Sequence, residues 1–151
     1  MNNSIKSFLF YIFIISIGSC KEDDSTNLNE KLAKAISVES TVSAKEYAES
    51  DEELHVELDL AQSEFIESLT DKEIAKLKAA VYRFYSTVTV KNNKYYTPLK
   101  SGQDINISED LFMLFKENLS EINQGINDLK ARDREVEVQQ VTSEYLNSLL
   151  K

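Results

Sequence analysis

"TDKEIAKLKAAVYRFYSTV", residues 70–88, decides the fold class, because a helix start signal and a helix period occur together in it. Thr70 and Glu73 stand at the spacing of a capping box, and Leu69 and Ile74 at that of a hydrophobic staple. Ile74, Leu77, Val81, Phe84 and Val88 then recur at steps of three and four, which lays one apolar stripe along a helix.

The same signals recur on both sides. Toward the C-terminus, Ser108 precedes Phe112, Phe115, Leu119, Ile122, Ile126 and Leu129, a heptad rhythm lasting about five turns. Toward the N-terminus, Ser50 and Glu53 form a second capping-box pair ahead of Leu54, Leu58, Ala61 and Phe65, which predicts an amphipathic helix over 50–65. Leu28, Leu32 and Ile36 predict a weaker early helix, and Val138, Val141, Tyr145 and Leu149 a last one. Segments of this kind can bury their stripes only against one another, so the expected fold is all-α, a small bundle of four to five helices. The period changes only near residues 87–107. Thr87, Val88, Thr89 and Val90 favour strand, Asn92 and Asn93 favour a turn, and Tyr95, Tyr96 and Thr97 can return, so a short β-hairpin competes with a long loop there.

The chain's 151 residues bound it to one such domain, and its net charge of −9 argues against nucleic acid as a partner. With one cysteine and one histidine it can form neither an internal disulfide nor a Cys/His zinc cluster, so the expected metal and cofactor content is none.

That one cysteine sits on a sharp border. Lys6 precedes an apolar run from Phe8 to Ile17, Gly18 and Ser19 are small, and Glu22, Asp23 and Asp24 close the run just after Cys20. This is the order of an export signal, and the run is about half the length of a membrane-spanning helix. Ile17, Gly18, Ser19 and Cys20 resemble the lipobox of bacterial lipoproteins, and the resemblance implies lipidation of the Cys20 thiol, cleavage before it and acylation of the new amino terminus. Lys21, Glu22, Asp23 and Asp24 resemble the export signal of surface lipoproteins of Bacteroidota, which implies display on the outer face of the outer membrane. Lipidation also accounts for a lone cysteine in an exported chain, since it removes a reactive thiol. The expected organisation is a signal peptide over 1–19, an acidic and partly flexible tether over 20–41, and the helical domain over 42–151. The mature chain would carry 16 bases against 26 acids, with residues 21–70 holding 4 bases and 14 acids and residues 71–151 holding 12 of each.

No motif carries chemistry. His55 lies between Glu53 and Glu57, yet no Gly-x-Ser-x-Gly positions a nucleophile, and the carboxylates fall on a solvated face. Asp104, Asn106 and Ser108 begin like a calcium loop, but Glu109 replaces its glycine and Phe115 its closing glutamate. The chain is therefore expected to be no enzyme. What remains is recognition: Tyr85, Tyr95, Tyr96 and Lys94 cluster near the irregular segment and form the candidate protein-binding patch, set against the alternative that these tyrosines close the end of the bundle with their rings buried. The function expected is that of a membrane-anchored, protein-binding or structural module of the cell envelope. An immunity-type lipoprotein against an envelope-targeting toxin is the second reading, a small envelope enzyme the third, and the sequence fixes no oligomeric state.

Overall fold

The capping box at Thr70 forms as its spacing requires. The Thr70 hydroxyl accepts the Glu73 N–H at 3.3 Å and the Glu73 carboxylate accepts the Thr70 N–H at 2.8 Å. In the computed structural model, which describes residues 28–59, 65–133 and 136–151, this box opens the helix around which the domain is built. The domain is mostly helical, with five α-helices and one two-stranded antiparallel hairpin among the described residues. In chain order these are α1 (Leu28–Ser37), α2 (Ala44–Glu49), α3 (Asp71–Tyr85), β1 (Thr89–Lys91), β2 (Lys94–Tyr96), α4 (Glu109–Ala131) and α5 (Ser143–Leu149).

Helix α3 packs against α1, α2, α4 and α5. It is buried on more than its stripe: besides Ile74, Leu77, Val81 and Phe84, the residues Ala75, Ala79 and Ala80 are fully covered, their small side chains letting neighbouring backbones approach. Phe84 forms the hub of the core, its ring lying 5.2 Å from Tyr85, 6.1 Å from Phe112 and 5.4 Å from Phe115, in edge or tilted contacts. The helix stops at Tyr85 because Ser86 and Thr87 turn their hydroxyls onto the carbonyls of Arg83 and Phe84, each at 2.8 Å. Val88, the last residue of the predicted stripe, therefore lies beyond the helix but still in the core.

Helix α4 starts at its expected cap, with the Ser108 hydroxyl accepting from the Leu111 N–H, and buries Phe112, Phe115, Leu119, Ile122 and Ile126. The irregular segment resolves in favour of the hairpin. Asn92 and Asn93 both adopt left-handed backbone, with φ of 51° and 59°, which is the two-residue turn whose twist matches that of paired strands. The C-terminal segment becomes helical later than its apolar spacing suggested, from Ser143, capped by the Thr142 hydroxyl.

Two expectations are corrected. First, residues 51–59 form no helix. The stretch alternates apolar and polar side chains, Leu54 and Val56 buried, His55 and Glu57 exposed, which is a strand period that the capping-box pair had masked. Leu54 bridges Ile107 in parallel, its N–H donating to the Asn106 carbonyl at 2.9 Å and its carbonyl accepting the Ser108 N–H at 2.8 Å. The preceding carbonyls are held by Arg83. This guanidinium, 8% exposed, donates to the carbonyls of Tyr47 (2.7 Å), Ala48 (3.4 Å), Ser50, Glu52 (2.9 Å), Ile105 (3.3 Å) and Asn106 (2.7 Å). Arg83 thereby fastens the segment that follows α2 to residues 105–106 in a non-helical course.

Second, the tether does not extend to residue 41. Leu32, Ala35 and Ile36 of α1 lie in the core, so the packed domain includes 28–37 and the boundary placed between 41 and 42 falls inside it. A buried chain of side-chain hydrogen bonds fixes α1 there: the Tyr85 hydroxyl donates to Asn118, whose amide donates to Asn29, whose amide donates to the Glu121 carboxylate at 2.9 Å. Among the described residues no buried side-chain polar atom lacks a partner, which is the condition under which such a network specifies register.

Candidate functional site

The hairpin presents two unlike faces, set by its register of Thr89 with Tyr96, Val90 with Tyr95, and Lys91 with Lys94. Strand alternation turns Val90 and Tyr95 inward and Thr89, Lys91, Lys94 and Tyr96 outward, in accord with their burial. Tyr95 is a core residue. Its hydroxyl donates to the Gln139 carbonyl at 2.9 Å, and burial pushes its pKa up to about 12. Tyr85 is also buried, its hydroxyl bound to Asn118 and its pKa raised well above the ordinary value by desolvation. Of the four residues expected to form one patch, the structure therefore places Tyr85 and Tyr95 inside. Only Tyr96 and Lys94 remain on the surface, because the two adjacent tyrosines point to opposite faces of a strand.

The outer face that remains is held rigid from three sides. The Asn123 side-chain amide pairs with both backbone groups of Tyr95 on the outer edge of β2, accepting its N–H and donating to its carbonyl, each at 2.8 Å. Gln140 accepts the Val90 N–H at 3.3 Å on the edge of β1. At the tip, the Asn93 side chain donates to the Val136 carbonyl at 3.2 Å and accepts the Val138 N–H at 3.3 Å. These side chains occupy edges that would otherwise be free to pair with another chain.

Electrostatically this face is out of keeping with an acidic chain. Lys91 and Lys94 stand directly opposite each other, a like-charged cross-strand pair that disfavours the hairpin, and neither has a carboxylate partner among the described residues. The Lys91 ammonium lies over the Tyr96 ring, 4.3 Å from its centre. Tyr96, at 46% exposure, is one of two large apolar side chains left open among the described residues; the other is Met113 on α4, at 59%. A flat aromatic surface, two uncompensated ammonium groups and a fixed backbone form a surface able to receive an acidic protein segment.

His55 is half-exposed with its ring 3.8 Å from the exposed Glu57 carboxylate, and no serine, threonine or cysteine hydrogen bonds to it among the described residues. No group of acidic, histidine or cysteine side chains there has the arrangement of a metal site, and no described helix is long and apolar enough to cross a membrane. Cys20, Lys21, Glu22, Asp23 and Asp24, with the whole of the signal peptide, lie outside the described residues. Sequence reasoning missed the extended stretch that follows Ser50, although the alternation in "ELHVELD" (residues 53–59) was a signal for it. Compared with protein-family models, curated proteins and solved structures, this chain finds no match.

Proposed function

We propose that this chain is an exported lipoprotein, anchored through lipid on Cys20 and displayed on the cell surface, whose small helical bundle serves as a non-enzymatic, protein-binding or structural module of the envelope. The address rests on the order of the first 24 residues: apolar run, small residues, cysteine, lysine, acids. The observation that carries the binding role is the outer face of the hairpin, where Lys91, Lys94 and Tyr96 are exposed on a backbone tied at both edges and at its tip. A pair of lysines that costs the hairpin stability is understandable where a partner supplies the missing negative charge. The complementary partner surface is acidic. Helix α1 begins eight residues past Cys20, so even fully extended the intervening chain reaches no more than about 28 Å, and a domain anchored at Cys20 works close to its membrane.

Two experiments test this reading. Replacing Lys21, Glu22, Asp23 and Asp24 by alanine is expected to leave acylation intact while protecting the protein from proteinase added to whole cells; equal cleavage of the wild type and the variant would reduce these residues to a polar spacer. For the binding face, Tyr96→Ala combined with Lys94→Glu is expected to weaken partner capture at least tenfold, about 1.4 kcal/mol, with no large drop in melting temperature, since relief of the Lys91–Lys94 repulsion offsets the lost ring contact. Tyr95→Ala is expected to do the reverse, costing about 3 kcal/mol of stability through its buried ring and lost hydroxyl bond. Capture indifferent to the paired Tyr96 and Lys94 changes would remove the hairpin as the site.

A further inference from the structure

A second surface lies at the other end of α4, away from the hairpin. Residues 54–59 run extended beside the first turns of α4, and between them opens a groove of about 570 Å³ lined by Val56, Leu58, Leu111 and Leu114 with His55, Glu57, Asp59 and Asp110. The groove continues along α4 past the exposed Met113. Its floor is apolar and its rim is acidic, with Glu57, Asp59 and Asp110 on the first part and Glu117 facing the single Lys116 on the second.

The extended strand also has an open edge. Leu54 gives its N–H and carbonyl to the Asn106 and Ser108 side. Alternation along an extended backbone turns the N–H and carbonyl groups of His55 and Glu57 the opposite way, and no hydrogen bond is made to them among the described residues. Asn123 and Gln140 bond outward groups of the two hairpin strands, whereas among the described residues no side chain bonds the outward groups of His55 and Glu57. An unpaired edge along an apolar trough is the arrangement by which proteins add an extended peptide as a further strand, main-chain bonds giving affinity and alternate side chains giving specificity.

We propose that this groove is a second binding site, distinct from the hairpin face, and that it takes an extended segment of a partner protein in which basic and aliphatic residues alternate. The added strand pairs with His55 and Glu57, its aliphatic side chains enter the trough over Leu58 and Leu114, and its basic side chains meet Glu57 and Asp110. Charge complementarity selects the occupant: an acidic segment would bring like charges onto the Glu57 and Asp110 carboxylates, which a basic one would meet with opposite charge.

The test uses the full-length lipidated chain in zwitterionic nanodiscs, which give a cationic probe no lipid charge to follow. A fluorescent peptide alternating lysine with valine is expected to bind saturably and to protect the amides of His55 and Glu57 from hydrogen exchange. The same peptide with glutamate in place of lysine is expected to bind at least tenfold more weakly. Glu57→Lys, at a side chain 92% exposed and so harmless to folding, is expected to cost at least fivefold in affinity. Tyr96→Ala is expected to change nothing, which separates this site from the hairpin. Methylating alternate peptide nitrogens should abolish binding in at least one of the two registers, since one set of N–H groups faces the strand. No saturable binding of the lysine peptide, equal binding of the glutamate peptide, indifference to Glu57→Lys, or full binding of both methylated peptides would each overturn the proposal.

Discussion

Arg83→Met is expected to destabilise the domain by about 3 to 5 kcal/mol, enough to remove a large part of the 5 to 15 kcal/mol that holds a typical domain together. The guanidinium is covered, and its forked donors gather six carbonyls from two segments, residues 47–52 and 105–106. Burial lowers its affinity for its proton, opposed by the nearby Asp51 and Glu52 carboxylates, so the charge is held in place by carbonyl dipoles and by acids at a distance. Methionine would fill most of the volume but leave the carbonyls facing apolar atoms. Arg83→Lys restores the charge with three donors in place of five and is expected to recover only part of the loss. Urea unfolding followed by circular dichroism measures both. An unfolding free energy for Arg83→Met within about 1 kcal/mol of wild type would mean that the six carbonyls are satisfied by water and that Arg83 organises nothing.

Cys20→Ala is expected to have the largest cellular effect, converting a membrane-bound protein into one released by washing. The thiol is the sole attachment atom on the side chains of this chain for a thioether-linked lipid, since no other cysteine is present. Each buried methylene contributes about 0.8 kcal/mol, a single acyl chain binds marginally, and two or more hold a protein stably, so loss of lipid should lower membrane partition by orders of magnitude. Fractionation of cells labelled with a fatty acid reads it: label and membrane association should vanish together. A variant that stays as firmly bound as wild type would place the anchor elsewhere.

How much of this was legible in the sequence differs from element to element, for physical reasons. Helices α3 and α4 could be read because local chemistry and tertiary burial agree in them: the caps at Thr70 and Ser108 form, and the apolar stripes are the buried faces. The hairpin could be read because two asparagines suit a left-handed turn. The stretch after Ser50 misled because Leu54 and Leu58 satisfy a helical step of four as well as an alternating step of two, and the arbiter, Arg83, is about 30 residues away. A buried arginine bonded to carbonyls leaves no periodic mark on either segment. The exposed face of the hairpin was legible in part. Clustered tyrosines mark this turn of chain, but whether Tyr95 or Tyr96 faces solvent depends on strand register, and Tyr85 is claimed by Asn118, a residue that no local pattern connects to it. Helix α1 is legible as a helix from its short stripe but not as part of the packed domain, because what secures it, the bonds from Asn29 to Asn118 and Glu121, comes from α4.

The claim that ties the account together is that the mature protein begins at Cys20 and is held to its membrane by lipid on that residue, so the most direct test is the intact mass of the protein isolated from the membranes of cells that produce it. The expected species lacks residues 1–19 and is heavier than its amino-acid sequence by a diacylglycerol and an amide-linked acyl chain, with fragmentation placing all of the added mass on Cys20. A protein whose mass equals that of its amino acids alone, whether it begins at Met1 or at any other residue, would contradict it.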